Sequence, residues 1–197
     1  MKRTTLDKLL SSLGLAMTAL LIAAGALMTW ASSFVAGQVH DQLAGQKFTM
    51  PVGAAIEDPL SKPYLQEFAG QEMTTGSQAK AYADHYILVH MNKAGAGRTY
   101  EEVSGEFIAM SSDPAADKDK LAELGRLRQT LFMGNTLRGL LLNAYAFGTM
   151  ATILGIGAIV SFVGAAVMPL LSLLGLRHAR TASTPAAPVG TREPVTS

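Results

Sequence analysis

The sequence predicts a mainly α-helical protein: an integral membrane hairpin of two transmembrane helices with a small, mostly helical extracytoplasmic domain between them. Three observations predict it. Two long runs are apolar and uncharged, the short chain ends are net positive while the middle is acidic, and the middle carries successive helix-start signals. The excess hydrophobicity is concentrated in the two runs. Hydrophobic residues make up 49% of the 197 and charged ones only 16%, well below the roughly 25% of a soluble domain.

The first run, "LLSSLGLAMTALLIAAGALMTWASSFVAG", covers Leu9 to Gly37, and the second covers Gly139 to Leu176. About 20 apolar residues cross a bilayer as a helix, so each run crosses once. Residues 1–9 form the N-terminus and residues 10–32 the first span. Lys2, Arg3 and Lys8 would suit the basic region of a signal peptide, but the run far exceeds the ~7–15 residues of a signal core, so the reading is a retained anchor. Residues 144–168 form the second span. Pro169 then bends or ends that helix, residues 169–180 lie at the inner interface, and the Pro/Thr/Ser-rich tail 181–197 is expected to be disordered.

Charge sets the orientation. Three basic residues stand against Asp7 at the N-terminus, and Arg177, Arg180 and Arg192 against Glu193 at the other end; the segment between the runs has ten basic and thirteen acidic residues. Positive ends favour the cytoplasm. Both termini are therefore placed there, in a plasma membrane, with residues 33–143 outside. Arg126, Arg128 and Arg138, close to the second span on its outer side, run against this pattern.

Neither span holds an ionisable residue, which argues against a proton relay or ion pathway within this chain. Small residues recur at helical spacing instead. Ser12, Ala16, Ala19, Ala23 and Ala26 share a face of span one; Ala151, Gly155 and Ala158 share one in span two, as do Gly157, Ser161 and Ala165. Small faces let backbones approach closely. One pairs the two spans, and a second is available to a partner helix or another copy of the chain.

In the outer segment, residues 38–75 read as irregular or short-strand structure, because "KFTMPVGAAIEDPLSKPYL" holds three prolines. Thr75 or Ser77 then caps a helix reaching Asn92, with "KAGAG" as its stop. Thr99 and Glu102 form a capping box for a second helix. Asp113-Pro114 reads as a third start, for a helix that continues through Gly125, Gly134 and Gly139 into span two.

The densest collection of reactive side chains is "AYADHYILVH", Ala81 to His90. Wound as a helix it separates. Tyr82, Tyr86 and His90 form one stripe at i, i+4, i+8, a candidate partner or ligand surface at the rim of an apolar face. Asp84 and His85 point elsewhere, and His85 lies about 140° from His90, which rules out chelation of one metal from this helix. No catalytic, cofactor or metal site is assigned. The chain lacks cysteine, nucleophile elbows, phosphate-binding loops and H-E-x-x-H. A net charge of +1 with no basic cluster excludes nucleic acid as a partner.

"FAGQEMTTGSQAKAYADHYILVHMNKAGAGRTYEEVS" and "TLFMGNTLRGLLLNAYAFGTM" resemble a family of two-span actinobacterial membrane proteins without established activity, often labelled "aromatic ring-opening dioxygenase LigA". The resemblance covers about residues 8–176. It implies the same hairpin and no agreed catalytic residues. The dioxygenase label would require iron held by two histidines and a carboxylate; the outer part offers only His40, His85 and His90. It would also require an enclosed pocket, which a helical stalk of this size is not expected to have. The function expected from the sequence is thus non-enzymatic and cofactor-free: a structural or accessory subunit docking on a larger membrane or envelope complex. An extracytoplasmic ligand-binding or sensing module on the Tyr82/Tyr86/His90 stripe is the alternative, and a ring-opening dioxygenase comes third.

Overall fold

Helix α1, Arg3–Ala44, carries the first apolar run and continues well past it. The computed structural model describes residues 3–181. After α1 come a 3-10 turn at Gly53–Ile56, the short helix α2 (Lys62–Leu65) and a second 3-10 turn at Gln66–Phe68. Helix α3 (Gly76–Tyr82), a π turn (Ala83–Ile87) and α4 (Leu88–Gly95) follow without a break. Helix α5 is Tyr100–Ser111, and α6 is a single helix, Lys118–Thr181. The protein is mainly helical, and among the described residues the only β pairing is one isolated antiparallel bridge, Thr49 to Glu72. Two helices, α1 and α6, are long and apolar enough to cross a membrane.

Several boundaries differ from those expected. Helix α1 runs to Ala44 because Gly37 is the one helix breaker between Phe34 and Ala44, and Val39 and Leu43 are buried there (7% and 4% exposed). Asp113 does not start the last helix. Its carboxylate accepts from the Ala115 amide at 2.8 Å in a local turn, while Asp117 takes the capping role, accepting from Asp119 N at 2.9 Å and Lys120 N at 3.3 Å. Pro169 does not end α6; the tail from residue 182 lies outside the described residues.

The chain divides into two compact units, one formed by residues 1–30 with 155–197, the other by residues 31–154. In the first, α1 and α6 pack antiparallel: Gly25 faces Phe162, Leu21 faces Gly164, and Gly14 faces Ser172. A Cβ on Gly25 would meet the tip of the Phe162 ring at 3.0 Å, so the ring would have to give by a few tenths of an ångström. The buried positions of α6 are Ala158, Ser161, Ala165 and Ser172. Of the two small faces expected on this span, Ala158 belongs to one and Ser161 and Ala165 to the other; both are consumed in one packing seam. On α1 the expected face is not the packed one. Ala16, Ala19 and Ala23 are exposed, while Ser11 and Gly25 are buried and Gly14, Thr18, Leu21 and Met28 are half-buried. The seam follows a seven-residue repeat: Ser11, Thr18, Gly25 on α1 and Ala158, Ala165, Ser172 on α6. That is the spacing that keeps one seam facing a partner along two supercoiled helices.

The second unit has two apolar cores. Met50, Ile56, Leu65, Met73 and Ala79 join Val39 and Leu43 of α1 in the first; Met91, Val103, Leu124 and Leu131 form the other, between α4, α5 and α6. The loop pair is pinned by Met50 N to Gln71 O (2.8 Å) and Met73 N to Phe48 O (2.9 Å). Within this unit Ala151 is buried, and its carbonyl accepts from the Ser32 hydroxyl at 2.7 Å. Gly155 and Gly157, in the first unit, are half-buried.

Candidate functional site

The expected capping residues place the signature helix. Thr75 Oγ1 accepts from the Gln78 amide at 3.3 Å, and Gln78 Oε1 accepts from the Thr75 amide at 3.0 Å, a reciprocal box that satisfies two of the orphan donors of a helix start. At the other end Ala96 adopts the left-handed conformation (φ 52°), and Gly97 N donates to Asn92 O at 2.8 Å, the usual way of closing the last carbonyls. Gly76 lies so close to α6 that an added Cβ would sit 2.9 Å from both Ala144 O and Tyr145 Cα.

The helix is not uniform. Its middle, Ala83–Ile87, opens into a π turn, a feature that is rare and frequently marks functional sites. Two of its carbonyls accept from side chains of other elements, Ala83 O in addition to its helical bond from Leu88 N. Arg138 Nε donates to Ala83 O at 3.1 Å, and the fully buried Ser61 donates to His85 O at 2.5 Å. Arg138 also donates to Asp84 Oδ1 at 3.0 Å, and Lys80 to Asp84 Oδ2 at 2.5 Å. Burial pushes the Asp84 carboxyl up, but the hydrogen bonds from Lys80 and Arg138 outweigh it and hold it below the usual carboxylate range. Asp84 therefore faces α6 rather than solvent, contrary to the sequence reading. Arg138 is an ion-pair partner of Asp84, and Arg128 lies 5.1 Å from the centre of the Phe107 ring. Two of the three arginines that ran against the charge pattern are thus engaged in tertiary packing.

Tyr82, Tyr86 and His90 do form one column. Tyr82 and Tyr86 stack at 4.8 Å, and Tyr86 and His90 meet at 4.3 Å. The wider π turn brings residues four apart closer to eclipsed than an α-helix would. His90 Nδ1 lies 2.7 Å from Tyr86 O. His85 stacks on Tyr64 at 3.6 Å instead. The histidines are thus engaged separately, and His40 lies beside Asp41 on α1. Among the described residues no three His, Asp or Glu side chains gather where a metal ion would fit. The donor set that a ring-opening dioxygenase would need is not assembled from these residues, and no step through iron is derived.

The second unit contains a cavity of about 680 Å³; much of its lining is exposed, so it is an open cleft and not an enclosed pocket of the kind the sequence argued against. Its walls are the C-terminal end of α1, from Phe34 to Gln46, and the stretch of α6 from Leu137 to Phe147. Val39, Leu43, Met73 and Tyr82 close the back. Of the three-residue stripe only Tyr82 lines it. Burial, followed by the neighbouring Tyr86 phenol, pushes the Tyr82 hydroxyl up to about 12, so it stays a neutral donor. Among the described residues no hydrogen bond reaches that hydroxyl. Gln38, Gln42 and Gln46 stand at i, i+4, i+8 along the α1 wall, with Asn143 on the α6 side. No charged side chain lines the cavity. Its volume falls within the ~300–1,000 Å³ of sites that enclose a small molecule, and an apolar lining with a few polar groups is their usual chemistry.

Sequence reading missed the cavity because its lining comes from four segments far apart in the chain. The glutamine ladder was visible as Q-x-x-x-Q-x-x-x-Q, but residues 38–46 had been read as outside any helix. No family model, curated protein or solved structure matches this chain.

Proposed function

We propose that the protein is a non-enzymatic, two-span membrane protein of the plasma membrane whose extracytoplasmic domain holds a small apolar ligand, and that both termini are cytoplasmic. The observation that supports this reading best is the cavity of about 680 Å³ with an uncharged lining and an unpartnered phenol at its back. It shifts the balance from the accessory-subunit reading to the ligand-binding one, with Tyr82 as the stripe residue that meets ligand. The proposed membership in the actinobacterial two-span family would supply the architecture but no chemistry. In nanodiscs, an environment-sensitive apolar fluorophore should bind the full-length protein saturably. Gln42→Trp, at an exposed lining position, should weaken binding at least about tenfold, the cost of filling space that a ligand needs, with circular dichroism unchanged. Absence of saturable binding in the unsubstituted protein would sink the proposal.

A second reading, docking on a partner helix or on another copy, is favoured by one observation: Ala16, Ala19 and Ala23 are exposed and not used in the hairpin seam. Because the chain has no cysteine, Ala19→Cys provides a unique crosslinking site. Recovery of uncrosslinked monomer alone from intact membranes would remove this reading.

A further inference from the structure

We propose that the cavity takes a long-chain lipid with an uncharged, hydroxyl-bearing head, drawn laterally from the bilayer. This rests on reading the cavity as a ligand site, and adds the chemical class and the source of the ligand.

The mouth carries the first part of the inference. Phe34, Leu137, Leu140 and Phe147 line the cavity and are 55%, 49%, 62% and 53% exposed. Gln38, Gln42, Gln46 and Asn143 are exposed on the same walls, so the opening is half apolar and half polar, an edge that suits an amphiphile with an apolar chain and a polar head. Phe34 and Phe147 also stand where each wall continues along its own helix into the apolar run, so an acyl or isoprenoid chain stays in apolar contact as it moves from one to the other.

The lining carries the second part. With no charged side chain on the walls, a phosphate or carboxylate head would be desolvated without a counter-ion, which is costly. The groups present are carboxamides and a phenol. Gln38, Gln42, Gln46 and Asn143 each offer two donors and an acceptor, and among the described residues none has a side-chain hydrogen bond to protein. These are the partners for hydroxyl groups, which both donate and accept. The ladder has the right placement. Gln46 is twelve residues beyond Phe34 along α1, roughly 18 Å at the helical rise. A chain at the Phe34–Phe147 end therefore puts its head between Gln42 and Gln46. Tyr82 supplies the donor at the back.

The test uses the full-length protein in phosphatidylcholine vesicles containing one of three photoactivatable probes: a monoacylglycerol, a fatty acid of the same chain length, or a small water-soluble aryl diazirine. After irradiation, adducts are mapped by mass spectrometry. The monoacylglycerol should label 34–46 and 137–147 well above the fatty acid. Gln42→Leu and Gln46→Leu, both at exposed positions, should each reduce its labelling about 2- to 10-fold, the range for one lost hydrogen bond, with circular dichroism unchanged. If the aryl diazirine labels the cavity but the monoacylglycerol does not, the lipid inference falls and the ligand-site reading stands. If no probe labels it, both fall. Equal labelling by the charged and uncharged lipids, insensitive to both substitutions, would overturn the head-group claim, and adducts confined to residues 9–33 and 148–176 would mean bilayer contact only and would overturn the proposal.

Discussion

Gly76→Ala is a one-carbon change whose sign the structure determines. Gly76 has no unusual backbone conformation, and alanine at the first position of a helix is ordinarily favourable. The new Cβ, however, would sit 2.9 Å from Ala144 O and 2.9 Å from Tyr145 Cα, whereas ordinary contact begins near 3.4 Å. Both obstacles are backbone atoms of α6, which cannot rotate away. The helix start and α6 must separate by about 0.5 Å, and overpacking of this kind costs ~1–3 kcal/mol. In native-state hydrogen exchange this loosens α3 and the π turn locally, by about 5- to 150-fold at ~1.4 kcal/mol per decade. Gly105→Ala is the control: it lies in α5 and nothing lies within 4 Å of its added carbon. There the same substitution should stabilise by ~0.5–1 kcal/mol and raise α5 protection about 2- to 5-fold. If Gly76→Ala left protection of residues 76–87 unchanged or increased it, the close approach that sets Tyr82 at the back of the cavity would be refuted.

Arg138→Met removes two of the bonds that hold the π turn; with Lys80 still on Asp84 and the site part-exposed, an equilibrium loss of ~1–2 kcal/mol is expected, and adding Asp84→Asn should recover part of it in a double-mutant cycle. Thr99→Ala should cost ~1 kcal/mol through the lost cap, read as faster exchange confined to the first turn of α5. Asp84 has a depressed folded pKa, so its contribution is present above the unfolded value of ~3.9 and fades as pH falls through the lower folded value; acid titration of Asp84→Asn should lack that component of the pH dependence. Tyr82 is raised to about 12 from 10.0, so its contribution is complete below pH 10 and is lost as pH rises through about 12; Tyr82→Phe should lose this alkaline step in absorbance-monitored unfolding. For orientation, a thiol at Ser77→Cys should react with an impermeant reagent in intact cells and one at Ser183→Cys should not; the reverse pattern would invert the proposed topology.

Much of the second unit was legible locally. Of the two expected caps, Thr75 and Ser77, Thr75 is the one that caps α3; the Thr99–Glu102 box depends on residues three apart and closes as expected. The aromatic column of Tyr82, Tyr86 and His90 was legible for the same reason. Asp113 misled because Asp-Pro is a helix start in isolation, yet Asp117 lay four residues on with the same chemistry and captured the cap. The packing seam was misread because alanines were counted at spacings of three and four, which picks out Ala16, Ala19 and Ala23. The seven-residue repeat of Ser11, Thr18 and Gly25 is present in the sequence, but it competes with the i, i+3/i+4 run that starts at Ser12, and only packing against α6 selects between them. The π turn had no local signal: two of its carbonyls accept from Ser61 and Arg138, 24 and 55 residues from their acceptors.

The sequence by itself determined two helices long and apolar enough to cross a membrane, the caps of α3 and α5, the separation of the histidines and the absence of Asp, Glu, Lys, Arg and His from the apolar runs. Each depends on hydropathy or on contacts within one or two helical turns. Tertiary structure alone decided which small residues pack, where Asp84 points, and that a cavity exists at all. A cavity is the space left when residues 34–46, Met73, Tyr82 and 137–147 are brought together. Its size depends on how closely backbones approach at points such as Gly76, a distance that no local pattern encodes.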